Sequence, residues 1–517
     1  MKTKIIVLLI GAIFSLTSCE KYLDINTDPS NPQVGEAQIL LPPIFSQMER
    51  GVQFDARYLG RYIQNWGLST PNDRWEQHGW LPNSDAQGEI WRSHYYGIGK
   101  NIDLIIADAN ETKQFNYAGV AKAIRAWSWQ TTTDYHGEAI LKQAFDDTRY
   151  VFDYDTQPEI YAEVVRLANE AITDLGKTGG NGSASKLAVG DIVYKGDASK
   201  WIKFSYGLLA RNLHNLSNKS SYNPDKVIEF ADKALQSNAD NFIIPNGGLN
   251  TSDGNFFGPI RDNLAGYRQS SLIVTLMDGT VFLGVNDPRA SRMLAVSGDG
   301  EIRGVGPAKG DPNRLNVLTR IPNVWGEGIV NPGPGKGKYI FRDNAGFPVM
   351  TYSEIQFIKA EALFRKGDKN GALTAYKNGV SAHIDFVNSN VTSGITPISG
   401  VEKAAYLASA AIPSTGAALT LEMIMHQKFI ALWGHGFVET WSDLRRFNYI
   451  EGDVKGNNPY LGVFAYPTPF WVDNNNKPIQ RVRPRFNSEY VWNMDALAKI
   501  GGDKSDFHTV KMWFSQP

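Results

Sequence analysis

Between residues 65 and 97 the chain reads NWGLSTPNDRWEQHGWLPNSDAQGEIWRSHYYG, which sets Trp66, Trp75, Trp80, Trp91, Tyr95 and Tyr96 beside Asn72, Asp73, Arg74 and Gln77. A sugar ring presents a flat C–H face and a rim of hydroxyls. Aromatic faces edged by amides, carboxylates and a guanidinium therefore supply a stacking platform with hydrogen bonds at its border. An extended peptide is held by the same groups, so residue type leaves glycan and peptide both open. Trp66 and Trp91 lie on helix-like segments and read as core. Trp75 and Trp80 sit in a loop bearing Pro, Asn and Gly, and are the candidate ligand contacts, with Asn72, Asp73 and Arg74 as neighbours. Tyr267, Phe256-Phe257 and Trp325 (in IPNVWGEG) carry the candidate set into a second loop-rich region.

Other chemistry is poorly represented. No H-E-x-x-H, C-x-x-C or G-x-S-x-G occurs. His78, His94 and His136 are too far apart in sequence to read as a metal cluster. The glycine-rich GPGKGK at 333–338 is followed by Tyr339, where a phosphate loop needs Ser or Thr, so it reads as a turn-rich loop. Asp134 with Glu138 is one carboxylate pair among 53 acids and carries no glycosidase signal, which depends on a measured separation. Asp443, Arg445 and Arg446 after Trp441 read as a packing and salt-bridge corner. The chain is expected not to be an enzyme and to need no cofactor or metal.

The elements that must position these residues are mostly helical. Helical periodicity dominates ILLPPIFSQMERGVQFDARYLGRYIQNW, expected to break at Pro42-Pro43, and YAGVAKAIRAWSWQTTTDYHG, ending near Gly137. QPEIYAEVVRLANEAITDLGK follows, with Pro158 at its start and Gly176 at its end. Further helices are read in GDASKWIKFSYGLLARNLHNLS, NPDKVIEFADKALQS, TYSEIQFIKAEALFRKGDKNGALTAYKNGV and LTLEMIMHQKFIALWGHGFVETWSDLRRF. Ala360, Leu363, Ala372, Tyr376 and Gly379 follow the small and large packing positions of a tetratricopeptide helix pair, and Val227, Ala231 and Ala234 repeat part of it. From about 240 to 350, and again from 451 to 485, Gly, Pro, Asn and Asp displace the helical stripe. A structureless loop of about a hundred residues is uncommon, so short strands and surface function are expected in the first of these regions.

Composition sets the outer limits. With 52 basic and 53 acidic residues the chain carries almost no net charge, which argues against nucleic acid as a partner. At the N-terminus Lys2 and Lys4 precede the apolar run Ile5–Phe14 and the small residues Ser15, Thr17 and Ser18, the anatomy of a signal peptide over residues 1–18. Leu16-Thr17-Ser18-Cys19 resembles a bacterial lipobox, and a thiol used as an acyl anchor explains a lone cysteine with no disulfide partner. Residues 19–34 then read as the lipidated Cys19 and a flexible tether, and 35–517 as one large domain. No later window approaches the about 18 apolar residues of a spanning helix.

Several of these segments together resemble the SusD/RagB-type outer-membrane lipoproteins of Bacteroidota. The likeness rests on the lipobox with CEKYLDINTDPSNP, TTTDYHGEAI at 131–140, GDASKWIKFSYGLLARNL at 196–213 and DPR at 287–289. It extends through TYSEIQFIKAEALFRKG at 351–367, HQKFIALWGHGFVETWSDLRRF at 426–447 and RPRFNSEYVWN at 483–493. The resemblance implies a mostly α fold of four tetratricopeptide-like helix pairs, with long irregular insertions, a few short strands and a variable ligand-binding region at about 240–350. It also implies a surface-exposed, lipid-anchored outer-membrane protein that captures glycan or peptide nutrient as the lid of a SusC-like TonB-dependent transporter. Glu20, an acid just behind the cysteine, is similar to the signal that sends such lipoproteins to the cell surface. A rival from another class, a helical-repeat scaffold of the envelope, uses the same aromatics as protein interface.

Overall fold

The computed structural model describes residues 37–517 apart from residue 327; the leader, Cys19 and the tether lie outside the described residues. The first helix, α1 (Ala37–Tyr62), runs through Pro42 and Pro43 without a break, which corrects the sequence expectation. The two missing amides fall near its start, and the buried stripe Leu41, Ile44, Phe45, Met48, Val52, Ala56 and Leu59 holds the helix downstream of them.

Four helix pairs follow the order read from the sequence. They are α2 (Phe115–His136) with α3 (Gln157–Leu175), α4 (Ala198–Asn215) with α5 (Pro224–Lys233), α6 (Tyr352–Lys366) with α7 (Lys369–Ser389), and α8 (Leu421–Leu432) with α9 (Phe437–Arg446). Each pair packs on the next through α3 on α4, α5 on α6 and α6 on α8. Local chemistry sets their ends. Thr156 and Glu159 form a reciprocal capping box at the start of α3, and Gly367, at φ +96°, turns α6 into α7. The tetratricopeptide-like positions Ala360, Leu363, Ala372, Tyr376 and Gly379 are all buried. A methyl group on Gly379 would sit 2.9 Å from the Phe357 ring, so glycine is what allows α6 and α7 to approach.

All four described strands are short and tie the irregular region to the helices. β1 (Trp66–Leu68) pairs antiparallel with β3 (Tyr267–Gln269), Trp66 opposite Gln269; β2 (Phe242–Ile244) pairs with β4 (Phe347–Met350). One continuous hydrophobic cluster runs from Ala37 to Val482. Trp66 and Trp91 belong to it, 1% and 3% exposed, as expected for core, although Trp66 lies on β1 and not on a helix.

Candidate functional site

The aromatic loop and the irregular region meet on one face of α1. Phe54, Arg57, Tyr58 and Arg61 recur at helical spacing and share a half-exposed stripe, with Arg61 turned inward. The Arg57 guanidinium lies 4.0 Å over the Phe54 ring and 5.4 Å from that of Phe256. Tyr58 meets Trp75 edge-on at 4.8 Å. Arg61 sits 5.4 Å from the Tyr267 ring and pairs with Asp73 at 2.7 Å. The same Asp73 oxygen accepts the backbone amides of Trp75 and Glu76, both at 3.0 Å, so this carboxylate folds the loop back onto the helix. Glu76 ties the loop to the irregular region by accepting from Leu68 N at 2.6 Å and Ala308 N at 2.7 Å, and burial pushes its carboxyl up to about 7. The result is a row of rings and guanidinium planes with fixed edges.

The structure brings Asp73, Trp75, Phe256 and Tyr267 into this row and sends the other predicted residues elsewhere. Asn72 is exposed at φ +61°, donating its amide to Ala308 O at 3.0 Å. Arg74 turns away to stack 4.4 Å over Trp471. Trp80 lies under the guanidinium of Arg483 at 3.8 Å, beside Tyr490 and His508. Trp75 exposes only 9% of its surface and presents little to a ligand. Trp325 is fully buried and donates its indole N–H to Phe257 O at 2.7 Å, so in this conformation it props the core rather than the surface. Sequence reading missed Phe54, Arg57, Tyr58 and Arg61. Their spacing was available, but the stripe resembles any helix that faces a core.

A model of SusD-like proteins, described as starch-binding and associating with the outer membrane, matches residues 29–458. The chain belongs to this SusD-like family. Solved SusD relatives share its fold. A SusD/RagB family protein from Bacteroides thetaiotaomicron is 24% identical with a TM-score of 0.69, covering 93% of this chain and 99% of its own. A chitin-binding protein is 23% identical with a TM-score of 0.69, over 92% and 99% of the two chains. A chitin-binding SusD homolog from Flavobacterium johnsoniae is 19% identical with a TM-score of 0.67, over 93% and 98%. No curated protein matches.

Three of the segments that resemble SusD, at 131–140, 287–289 and 426–447, hold buried polar networks. Asp287 and Arg289 of the DPR segment form a buried ion pair, with Arg289 donating to Gln427 at 2.6 Å and Asp287 accepting from Tyr406 at 2.8 Å. The corner after Trp441 is a buried charge cluster, as its sequence predicts: Arg446 meets Glu361 at 2.8 Å and Asp443 at 2.6 Å. Asp134 is buried and holds Tyr161, Gln130 and Asn215, whereas Glu138 pairs with Arg481. Lys338 of the glycine-rich loop is buried and donates to Leu294 O. Among the described residues no group of His, Cys, Asp and Glu has the arrangement of a metal site, and no helix is long and apolar enough to cross a membrane.

Proposed function

We propose that this SusD-like protein is a lipid-anchored capture protein at the bacterial surface, binding an oligosaccharide without chemistry and passing it to a SusC-like TonB-dependent transporter as its lid. The observation that carries the reading is the row Phe54, Arg57, Tyr58, Tyr267 with the Arg61–Asp73 pair. It offers the half-exposed rings of Phe54, Tyr58 and Tyr267 for C–H stacking and the half-exposed Arg57 guanidinium for hydroxyls, with the inward-turned Arg61–Asp73 pair holding the row in place. Asp73 edges the row, and Trp75 backs it. The family description as starch-binding and the chitin-binding relatives favour glycan over peptide. Cys19 is the anchor, and the residues after it form the tether.

The test uses protein starting after Cys19, titrated calorimetrically with starch, chitin and xylan oligosaccharides and with a panel of peptides. Wild-type protein retains one class of glycan, and mass spectrometry recovers the ligand unchanged. Tyr58→Ala with Tyr267→Ala weakens binding by about tenfold or more, the scale of losing two aromatic contacts. Retention of peptides in place of every glycan would establish the peptide-capture reading, and a cleaved ligand would end the claim that no chemistry occurs. Full-length protein is expected to partition with membranes and Cys19→Ala protein to be released, and pull-down of full-length protein with a transporter barrel tests the partner.

A further inference from the structure

A cleft of about 510 Å³, within the usual range for small-molecule sites, opens between the π-helical turn Ser93–Gly99, the 140–152 loop and the turn Phe486–Tyr490. None of the residues of the α1 row lines it. Its wall is aromatic. Trp91 and Tyr95 lie 4.8 Å apart, and Tyr95 and Phe145 6.0 Å apart. The wall is also held rigid. The Tyr95 hydroxyl donates to Ile140 O at 2.9 Å and accepts from Ile140 N at 2.8 Å. Asn493 clamps Phe152 by accepting from its N–H and donating to its carbonyl, both at 2.9 Å. Phe145 adopts φ +67°, a strained backbone for a bulky residue, with its ring against Gly99 where no Cβ would fit and the Arg125 guanidinium 4.6 Å above it. A strained aromatic beside a π-helical turn marks a place where geometry was kept at a cost in stability.

Phe152 also lines a neighbouring cleft of about 410 Å³, so the two clefts share a wall. Tyr96 lines the first cleft and Trp492 the second, and they are 76% and 74% exposed. A large exposed ring in each of two neighbouring clefts is the arrangement expected of an interaction surface. Its cations are already neutralised: Arg92 by Glu89 at 3.0 Å, Arg485 by Asp85 at 2.6 Å, Arg149 by Asp146 at 2.9 Å and Lys499 by Asp153 at 2.8 Å. Glu489 is turned to Tyr154 at 2.6 Å and Asn493 at 3.0 Å. The groove therefore offers flat carbon faces and hydrogen bonds without a free cation to select an anion.

We infer that this groove is a second binding site, separate from the α1 row, for a neutral oligosaccharide that lays its sugar faces along the walls between Tyr96 and Trp492. The inference rests on the glycan reading of the protein. It is tested by titrating wild-type protein, Tyr96→Ala/Trp492→Ala and Tyr58→Ala/Tyr267→Ala with neutral hexasaccharides of glucose, N-acetylglucosamine and xylose. Because Tyr96 and Trp492 are exposed, their removal is expected to leave the unfolding midpoint in place, which thermal melts check. Wild-type protein should bind two equivalents of one hexasaccharide, and each double variant should lose a different one by tenfold or more. Wild-type binding by the Tyr96/Trp492 variant overturns the second site and leaves the proposed function standing. Loss of all binding in that variant alone instead keeps the groove and removes the α1 row as the site. Failure of every hexasaccharide overturns both readings, and displacement of bound sugar by a neutral apolar peptide of higher affinity overturns the glycan assignment of the groove.

Discussion

Arg446 shows what keeps a charge inside this chain. Its guanidinium is fully buried and spans Glu361 at 2.8 and 2.9 Å and Asp443 at 2.6 Å. Glu361 also accepts from Arg365 at 2.8 Å and lies 2.7 Å from His214 Nε2. Burial opposes ionisation of Glu361, yet Arg446, His214 and Arg365 together hold its carboxyl well below the usual range. Replacing a whole buried network by apolar residues can be neutral, whereas removing one partner strands the others. Glu361→Leu is therefore expected to cost about 3–5 kcal/mol by leaving Arg446 and Arg365 short of a counter-ion. Urea unfolding measures it, and an unshifted midpoint would show that Asp443 beside Arg446 and Asp453, 3.1 Å from Arg365, suffice.

Helix pairing is where small residues decide the outcome. Gly379 lies inside α7, and on an exposed helix a change to alanine gains about 1 kcal/mol. Here the new methyl meets the Phe357 ring at 2.9–3.1 Å, and overpacking of this kind costs about 1–3 kcal/mol. Gly379→Ala is thus expected to lower the thermal midpoint by a net of up to about 2 kcal/mol in stability. A rise would mean that α6 and α7 separate freely. The four pairs were legible because their apolar spacing, Pro158 and the end glycines Gly137 and Gly176 act locally. The course of α1 was not, since Pro42 and Pro43 are tolerated through burial of residues far along the helix.

At the scale of the whole molecule, all eight histidines are held below their ordinary pKa, chiefly by burial: His78, His136, His435 and His508 at about 3, His214 and His426 at about 4, and His94 and His383 well below it. The unfolded chain then binds more protons than the folded one below about pH 6.5, so stability falls as the medium is acidified through that point. Burial raises Glu49 and Asp55 to about 8 and Glu76 to about 7, so the folded chain binds more protons between the ordinary carboxylate range and these values. Stability from these three is present at low pH and is lost as pH rises through about 7–8. Urea midpoints measured from pH 4 to 10 should peak near neutrality, with the acid side steeper because more groups titrate there. A flat profile below pH 6 would show that the histidines are not shielded from water.

Sequence alone determined the helix pairs, their caps and the buried charge corner, because periodicity, Pro and Gly placement, and charges beside Trp441 act over a few residues. It also carried the family resemblance and the lipobox reading of Cys19. Only the tertiary structure decided which aromatics are surface. Trp75 and Trp325 share loop contexts with Tyr267, and nothing near them in the chain says that Tyr58 or Phe257 will cover them. The α1 row joins residues 54–61, 73 and 267, and the groove between Tyr96 and Trp492 is assembled across nearly 400 residues of chain. Accessibility is set by what packs on top of a side chain, and that partner is distant in sequence.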